Sequence, residues 1–457
     1  MEFDKALVKK YDRPGPRYTS YPTAPQFSTA FGADDYIQQT LVSNEGQPKP
    51  LSLYVHVPFC QSLCYYCACH KIVTQKTERA AQYLTYLTRE ITLQSQYFAP
   101  SRTLTQLHFG GGTPTYFTDT QLSEVMDAIN QHFNVEQSGT REFSIEVDPR
   151  TVDNVRIRNL KQLGFNRLSF GIQDFDPAVQ QAVNRVQSFS QAQGLVTSAR
   201  AEGFKSISVD LIYGLPLQTI DSFDQTLDQI IALKPDRIAA YSYAHLPEQV
   251  RAQRMINPSD TPPPERKLEL LELTIKRLTE AGYVYIGMDH FALPDDELTK
   301  ALKHGTLQRN FQGYSTHAQC DLIGIGVSAI GKIGHSYSQN AKELKSYYAQ
   351  LDQNQLPIAK GYQLNADDRL RAHIISKLMC HGALHFDVID AEYGISFVNY
   401  FKEEVKALKP LQSDGLVELT DNTLQIRPQG HLLLRNIAMV FDRYLQMTLN
   451  RQFSRTV

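Results

Sequence analysis

The chain has 457 residues, enough for about three average domains or for one large barrel and one smaller domain. Its 46 basic and 48 acidic side chains nearly balance, which argues against a nucleic-acid-binding protein. Apolar runs are too short to span a bilayer, and the stretch MEFDKALVKKYDRPGPRYTS lacks the apolar core of a signal peptide. We therefore expect a cytoplasmic protein without membrane insertion.

The first 50 residues are polar, and their prolines preclude a long helix. We expect residues 1–50 to form an N-terminal arm. Its segment RPGPRYTSYPT carries Arg13 and Arg17. The segment is either a solvated arm or an arm that contributes to a substrate site.

From residue 51 onward, short apolar runs alternate with stretches of helical period. The predicted strands cover 51–57, 104–109, 143–149, 167–173, 206–216 and 237–243. The predicted helices cover 77–98, 119–133, 154–163, 176–203 with a break, and 220–233. This alternation predicts a parallel α/β sheet that right-handed crossovers curl into a full or partial barrel. The pattern alone does not distinguish a partial barrel from an open Rossmann-like sheet.

We expect the catalytic barrel and its closing loops to occupy 51–336, with a smaller, mainly helical domain over 337–457. After the proline-rich 261–265, the pattern predicts a helix to about 281, a strand within 283–292, and loops with a short helix in the glycine-rich 305–336. Farther on it predicts helices at 341–353, 366–380 and 396–407, a hairpin turning at Asp421–Asn422, and a final helix over about 428–450. Helices followed by a hairpin and a helix suggest a winged-helix-like domain.

Four of the six cysteines fall within CQSLCYYCAC, at Cys60, Cys64, Cys67 and Cys69. Disulfides between such close neighbours would close loops too short to stabilise much, whereas thiolates are preferred ligands of soft metals and iron–sulfur clusters. A zinc ribbon would usually show two separated pairs of cysteines. Three cysteines of the group can hold three irons of a cubane and leave the fourth iron open to a small molecule, which suggests catalysis. Structural thiols or zinc are the alternative.

Polar residues also interrupt the ends of the predicted strands. Gly110–Pro114 follows the second strand, at the edge of a parallel sheet where ligands bind, although a glycine run is also an ordinary turn. Glu146, Gln173 and Asp210 break apolar runs, and a buried carboxylate is costly unless it is paired. For Glu146 a structural ion pair is the alternative. Arg185 is a candidate partner for a carboxylate.

The motif C-x3-C-x2-C after a strand, with Tyr66 before its last cysteine, resembles the radical S-adenosylmethionine (SAM) enzymes. Cys69 and the flanking sequence, from RYTSYPT to QFSR, narrow the resemblance to the oxygen-independent coproporphyrinogen III oxidases over nearly the full length. The resemblance implies a three-quarter (β/α)6 barrel. It also implies a 4Fe-4S cluster on Cys60, Cys64 and Cys67, with the open iron binding SAM, and a second SAM molecule. Ala68 stands where relatives have glycine.

The resemblance also implies roles for individual residues. Cys69 has a non-ligand role near the cluster or the substrate. The implied cofactor contacts are Tyr54, Tyr66, Gly111, Gly112, Thr113, Glu146, Gln173, Arg185, Asp210, Ala244 and Ile330, of which Gln173, Arg185, Asp210 and Ala244 lie near the second SAM. The substrate is a tetrapyrrole with four propionates, for which cationic and aromatic side chains are suitable. The candidates are Arg13, Arg17, His290, Arg309 and Tyr314, and His290 is equally consistent with a core histidine.

The implied reaction converts coproporphyrinogen III to protoporphyrinogen IX without O2, by a 5′-deoxyadenosyl radical made from SAM. The implied partners are a reduced flavodoxin-like or other electron donor, and the implied state is a monomer. The alternative is a haem-binding chaperone on the same scaffold. Such chaperones generally lack the RYTSYP arm and have an aromatic residue in place of the fourth cysteine, so RYTSYPT and Cys69 favour the oxidase. For a third possibility, a radical SAM methyltransferase, the sequence shows no residues suited to methyl transfer.

Overall fold

The computed structural model describes residues 3–317, 320–445, 453, 455 and 456. They form two compact units. The first unit takes the described residues of Met1–Gln26, Leu271–Ala318 and Leu364–Val457, and the second takes those of Phe27–Leu270 and Gln319–Gln363.

Both units contain strands and helices. The strands are β1 (Leu51–Val57), β2 (Phe59–Cys60), β3 (Ile72–Val73), β4 (Thr103–Gly111), β5 (Asn134–Val135), β6 (Glu142–Val147), β7 (Arg167–Gln173), β8 (Ser206–Tyr213), β9 (Arg237–Ser242), β10 (Val284–Gly287), β11 (His290–Ala292), β12 (Gln308–Asn310), β13 (Gly313–Ser315), β14 (Asp321–Ile325), β15 (Ile330–Ile333), β16 (Ser336–Asn340), β17 (Ile358–Gln363), β18 (Ala383–His385), β19 (Val417–Leu419) and β20 (Thr423–Ile426). The helices are α1 (Lys5–Tyr11), α2 (Ala33–Ser43), α3 (Thr77–Ser95), α4 (Asp119–His132), α5 (Asn154–Gln162), α6 (Pro177–Ala182), α7 (Phe189–Ala201), α8 (Ile220–Leu233), α9 (Pro264–Glu280), α10 (Glu297–Lys303), α11 (Leu344–Asp352), α12 (Ala366–His381), α13 (Phe386–Tyr393), α14 (Phe397–Tyr400), α15 (Lys402–Ser413) and α16 (Leu434–Ala438).

The second unit is built on a parallel sheet in the order β9-β8-β7-β6-β4-β1. Helices α3 to α8 connect these strands, so the six predicted strand–helix units and the parallel barrel sheet are confirmed. The strands are largely buried, β1 at all but one of its positions, as expected when helices cover a parallel sheet.

Helix α8 shows how local sequence produces one of these crossovers. The side chain of Thr219 caps its first turn, and Phe223, Leu227 and Ile230 recur at helical spacing and are fully buried. Lys234 ends the helix in the left-handed conformation, with φ 50°. The chain then enters β9 at Arg237, so that α8 forms most of the crossover between the parallel strands β8 and β9.

The glycine-rich region 305–336 differs from the prediction of loops and a short helix, because its strands include β14 and β15. Strand β14 lies parallel to β1 on the side opposite β4, and β15 to β17 continue the sheet antiparallel. A Cβ on Gly324 would lie 2.8 Å from the backbone of Ile330, and one on Gly331 would lie 2.9 Å from the carbonyl oxygen of Leu322. The glycines therefore permit the close approach of two strands, which the pattern alone had suggested were loops.

The first unit contains helices α12 to α15 and a small sheet in the order β18-β20-β19. The predicted hairpin is confirmed, since β19 pairs antiparallel with β20. The predicted strand within 283–292 is a hairpin of β10 and β11. We predicted one final helix over about 428–450, and for the described residues 428–445 this prediction is wrong. Two 3-10 turns, Pro428–Leu433 and Met439–Phe441, flank the short α16, and residues 446–450 lie outside the described residues.

Two short helices form in the N-terminal segment, α1 before its first proline, Pro14, and α2 between Pro25 and Pro48. Asp4 caps α1 by accepting hydrogen bonds from the backbone of its first turn. No helix of the described residues is both long and apolar enough to cross a membrane.

Candidate active site

A cavity of about 400 Å³ lies at the carboxyl ends of the parallel strands of the second unit. Many of the predicted site residues line it: Cys60, Cys64, Tyr66, Cys67, Cys69, Gly111, Gly112, Thr113, Glu146, Gln173, Arg185 and Asp210. Strand ends separated by up to 150 residues thus converge at one place, as expected for a ligand site in an α/β sheet.

The cysteine loop is closed at its base by a short parallel pairing of β2 with β3. The N–H of Ile72 donates to the carbonyl oxygen of Pro58 at 2.7 Å, and the N–H of Thr74 donates to that of Cys60 at 3.0 Å. All four cysteines of the loop are free thiols. The loop therefore presents its sulfurs to the cavity from a fixed base.

Hydrogen-bond donors surround these sulfurs. The hydroxyl of Thr113 donates to Cys60 Sγ at 3.5 Å, and the guanidinium groups of Arg185 and Arg150 donate to Cys64 Sγ at 3.4 and 3.5 Å. A hydrogen bond from Cys69, followed by the nearby charge of Lys71, lowers the pKa of the Cys67 thiol to about 6 against the opposing effect of burial. Such donors suit cysteines that act as thiolate ligands.

The described residues contain no group of three or more His, Cys, Asp or Glu side chains placed to hold a single metal ion. An iron–sulfur cluster makes a different demand, because each of its cysteines binds a separate iron. The free thiols around one cavity, with polar donors at their sulfurs, fit a cluster of this kind.

The glycines after β4 bring the backbone close to the cysteine loop. A Cβ on Gly111, where φ is +115°, would lie 2.6 Å from the ring of His56. A Cβ on Gly112 would lie 2.6 Å from the carbonyl oxygen of Pro58. Both positions therefore require glycine, and the backbone at these positions is open to a ligand in the cavity.

Glu146 is held by groups from the neighbouring strand. Its Oε1 lies 3.2 Å from His108 Nε2, and its Oε2 accepts a hydrogen bond from the Gly111 N–H at 3.2 Å. Although burial favours the neutral acid, these contacts lower the pKa of the carboxyl group. Tyr54 stacks on the His108 ring, with 5.8 Å between ring centroids. A carboxylate that is 43% exposed is thereby presented to the cavity in a fixed orientation.

Gln173 and Asp210 lie on adjacent strands beside it. Within the described part of the chain, the buried side-chain oxygen of Gln173 has no hydrogen-bond partner. Burial, followed by repulsion from Glu146, raises the pKa of Asp210 to about 7. An unsatisfied buried acceptor and a carboxyl near its titration point are features expected of a ligand site.

Asp148 joins two arginines at the wall of the cavity. Its carboxylate accepts hydrogen bonds from Arg150 at 2.7 to 3.2 Å and from Arg185 at 3.3 Å. Arg185 also donates to the carbonyl oxygen of Gly171 at 2.5 Å. The carboxylate partner anticipated for Arg185 is therefore Asp148.

Three predicted cofactor contacts are absent from the residues that line this cavity. Tyr54 lies on β1, where its hydroxyl is 3.0 Å from His56 Nδ1. The carbonyl oxygen of Ala244 accepts a hydrogen bond from the Gln253 side chain at 3.0 Å. Ile330 begins β15.

The five candidate substrate residues all belong to the first unit. Arg17 forms an ion pair with Asp289 at 2.7 Å. The Arg309 guanidinium lies over the Tyr314 ring at 4.9 Å, and the His290 ring meets that ring edge-on at 5.3 Å. Arg13 contributes backbone contacts to Thr456.

Sequence reasoning overlooked several residues that contact the site. His108, Asp148 and Arg150 lie beside predicted residues, so strand-end position was an available signal. Gln253 was not recognisable, because it lies in a 3-10 turn far along the chain. Its buried amide nevertheless donates to the carbonyl oxygens of both Tyr66 and Ala244 at 3.0 Å.

Comparisons with known proteins agree with this geometry. The model of the radical SAM superfamily matches residues 54–230, and that of the HemN C-terminal domain matches residues 364–433. The chain is 49% identical to the oxygen-independent coproporphyrinogen III oxidase of Pseudomonas aeruginosa, covering 100% of this chain and 99% of the relative. It is 47% identical to the Escherichia coli protein of that name, with the same coverage.

A solved structure is similar over nearly the whole chain. It is the coproporphyrinogen III oxidase of Escherichia coli, a radical SAM enzyme, with a TM-score of 0.92 and 46% identity. The match covers 97% of this chain and 100% of that one. The barrel and the helical C-terminal region are thus both accounted for by one known fold.

Proposed function

The chain belongs to the oxygen-independent coproporphyrinogen III oxidases of the radical SAM superfamily, and from this membership we propose that Cys60, Cys64 and Cys67 ligate its 4Fe-4S cluster. The observation that carries the proposal is that these three free cysteines line one cavity together with the strand-end residues. Cys69 lies in the same cavity and is left as a non-ligand, because a fourth thiolate would close the site to SAM.

The reaction is the oxidative decarboxylation of coproporphyrinogen III to protoporphyrinogen IX, in which two propionates become vinyl groups and CO2 is released. Cys60, Cys64 and Cys67 would hold the cluster, which with SAM would supply the radical chemistry that removes a hydrogen atom from the β-carbon of a propionate. Loss of CO2 and of one further electron to an acceptor would then leave the vinyl group. The part of the protein is to bind and orient these groups and to keep water from the reacting atoms.

We assign the cofactor contacts by their place in the fold. Gly111, Gly112 and Thr113 offer backbone to one SAM molecule, and Glu146 is oriented towards the cavity by His108. Tyr54 and Ile330 are assigned to the same SAM molecule from the family resemblance alone, since neither lines the cavity.

We assign the second SAM molecule to the part of the cavity that Gln173 and Asp210 line. Gln173 has an unsatisfied oxygen there, and Asp210 has a raised pKa. Arg185 and Tyr66 also line the cavity, and Ala244 is added from the family resemblance alone.

For the substrate, we propose that Arg309 binds a propionate. Its Nε and Nη1 are buried and lack hydrogen-bond partners within the described residues, and Tyr314 supports its guanidinium from one side. A planar guanidinium group with two available N–H donors is well suited to bind a carboxylate. His290 and Arg17 lie close enough to influence Asp289 beside it electrostatically, so the surroundings are cationic. Arg13 is assigned to the same substrate site.

The electron donor is proposed to be a reduced flavodoxin-like protein or another reductant, and the enzyme is proposed to be a cytoplasmic monomer. These assignments rest on the family resemblance.

The test is an anaerobic turnover assay. The cluster is reconstituted and reduced, SAM and coproporphyrinogen III are added, and protoporphyrinogen IX and 5′-deoxyadenosine are followed together. We expect both products from the wild-type chain and neither from Cys64→Ser. Cleavage of SAM, or tight binding of haem, without decarboxylated product would overturn the proposal in favour of a chaperone.

A further inference from the structure

Two arginines donate hydrogen bonds to the sulfur of a single cysteine in the cavity. Arg185 Nη1 lies 3.4 Å and Arg150 Nη2 lies 3.5 Å from Cys64 Sγ. Cys60 differs, because its sulfur accepts from the neutral hydroxyl of Thr113. Two guanidinium groups therefore meet at the middle cysteine of the motif, whereas Cys67 has the single cation Lys71 nearby.

Asp148 holds both arginines in place. It accepts from Nε and Nη2 of Arg150 and from both terminal nitrogens of Arg185. The Asp148 and Arg185 side chains are only 9% and 8% exposed. This ion triad is therefore shielded from solvent, where charges interact more strongly than at the surface.

The charges of the group balance when Cys64 is in the thiolate form that iron ligation requires. Two guanidinium groups then face two anions, Asp148 and the sulfur. The two positive charges are thus matched within the group when Cys64 is a thiolate.

We propose that Arg150 and Arg185, held by Asp148, tune the reduction potential of the cluster through the Cys64 sulfur and make the cluster easier to reduce. Reduction adds one negative charge to the cluster, and hydrogen bonds and positive charge at a ligand sulfur stabilise the more negative state. The proposal rests on the assignment of Cys64 as a ligand under the proposed function.

Arg150 offers the cleaner test of this proposal. Arg185 is nearly enclosed and also binds Gly171, so its replacement would disturb the wall of the cavity. The Arg150 side chain is 18% exposed and can be replaced with less disturbance.

The experiment is a redox titration of the reconstituted protein, without SAM and without substrate. One electron passes from a mediator of known potential to the cluster, and electron paramagnetic resonance measures the reduced fraction. In Arg150→Gln we expect an equilibrium constant for reduction about tenfold lower than in the wild type, which is about 59 mV to more negative potential for a one-electron couple. Iron and sulfide contents should match the wild type.

Two further variants make the result specific. Arg156→Gln removes an arginine of similar exposure, 15%, whose partner is Asp119, and should leave the potential unchanged. Arg150→Lys keeps the positive charge but loses the planar guanidinium group. We therefore expect a shift to more negative potential that is smaller than in Arg150→Gln.

The outcomes separate this inference from the proposed function. A wild-type chain that holds no reducible cluster would defeat both. A wild-type cluster with an unchanged potential in Arg150→Gln would overturn the tuning role alone. If Arg150→Gln does not retain a four-iron cluster, the reduction potential is measured in Arg150→Lys instead. An unchanged potential in Arg150→Lys would then overturn the inference.

Discussion

Nε2 of His108 lies 3.2 Å from Oε1 of Glu146, and this contact joins two adjacent parallel strands at the cavity. The other ring nitrogen of His108 lies 2.6 Å from the hydroxyl of Ser144. The histidine is thus held from both sides, and it holds the carboxylate in turn. His108 therefore positions the Glu146 carboxylate at the cavity.

The first prediction concerns this pair. His108→Phe keeps a ring to stack on Tyr54 but removes the hydrogen bond to Glu146, so we expect SAM to bind about fivefold more weakly. Glu146→Gln should weaken binding at least as much, and the double variant should be little worse than Glu146→Gln because the two residues act as a unit. Equilibrium binding of SAM to the reconstituted protein measures this.

The control for this prediction is His132→Phe, since His132 lies on α4 and contacts Thr92. It should bind SAM as the wild type does. Unchanged SAM affinity in His108→Phe would show that Glu146 is oriented by other groups.

The second prediction separates the four cysteines of the loop. Cys60→Ser, Cys64→Ser and Cys67→Ser should each lose most cluster iron, because serine is a poor ligand for this cluster. Cys69→Ser should retain it. Iron and sulfide analysis of the reconstituted proteins gives the result, with Cys320→Ser as a cysteine variant outside the loop. Loss of iron in Cys69→Ser would make it a ligand and contradict the open site.

The third prediction concerns a buried carboxylate that supports the fold. Glu90 accepts hydrogen bonds from Gln94, the Gly326 N–H, Asn340 and Tyr347, and is fully buried. Glu90→Ala leaves these donors unsatisfied and should lower the free energy of unfolding by about 3 kcal/mol. Denaturant unfolding followed by circular dichroism measures this loss.

A matched variant for Glu90 lies on the same helix. Glu78 is exposed in the first turn of α3, and Glu78→Ala should change stability little. Equal losses in both variants would mean that the buried hydrogen bonds contribute nothing beyond the helix itself.

The fourth prediction concerns pH. The pKa of Asp210 is raised to about 7, chiefly by burial, from an ordinary value of 3.8. At a pH between 3.8 and about 7, Asp210 keeps its proton in the folded protein but has lost it in the unfolded chain. The contribution of Asp210 to stability therefore falls as pH rises through this interval, and its cost is fully present above it.

Asp210→Asn removes this cost. We compare the free energy of unfolding of the cluster-free variant with that of the cluster-free wild type. The advantage of the variant should be about 2 kcal/mol larger at pH 8 than at pH 5, with the pKa shift discounted because Asp210 is partly exposed. Thermal unfolding at the two pH values tests this. An equal difference between variant and wild type at both would contradict the raised pKa.

The fifth prediction concerns the substrate. Arg309→Gln should raise the KM for coproporphyrinogen III about tenfold, because a charged hydrogen bond to a propionate is lost, and should leave SAM affinity unchanged. Arg427→Gln, which removes an exposed arginine paired with Glu418, is the control. If KM does not change in Arg309→Gln, another group binds the propionates.

Local sequence determined the parts of this protein whose physics is local. Cysteine spacing alone indicates the cluster loop, because Cys60, Cys64 and Cys67 are neighbours in one short segment. The alternation of strand and helix predicts the parallel sheet, since each crossover buries an apolar face against it. The family and its cofactors also followed from motifs that are contiguous in the chain.

Only the tertiary structure decided which distant residues meet. Strand β15 lies beside β14 because Gly324 and Gly331 permit close contact, and a glycine-rich pattern by itself resembles loops. Arg150 and Arg185 meet at Cys64, and Gln253 reaches Tyr66, through side-chain packing between segments far apart in sequence. Such contacts depend on strand order and on rotamers, and no short-range periodicity encodes either.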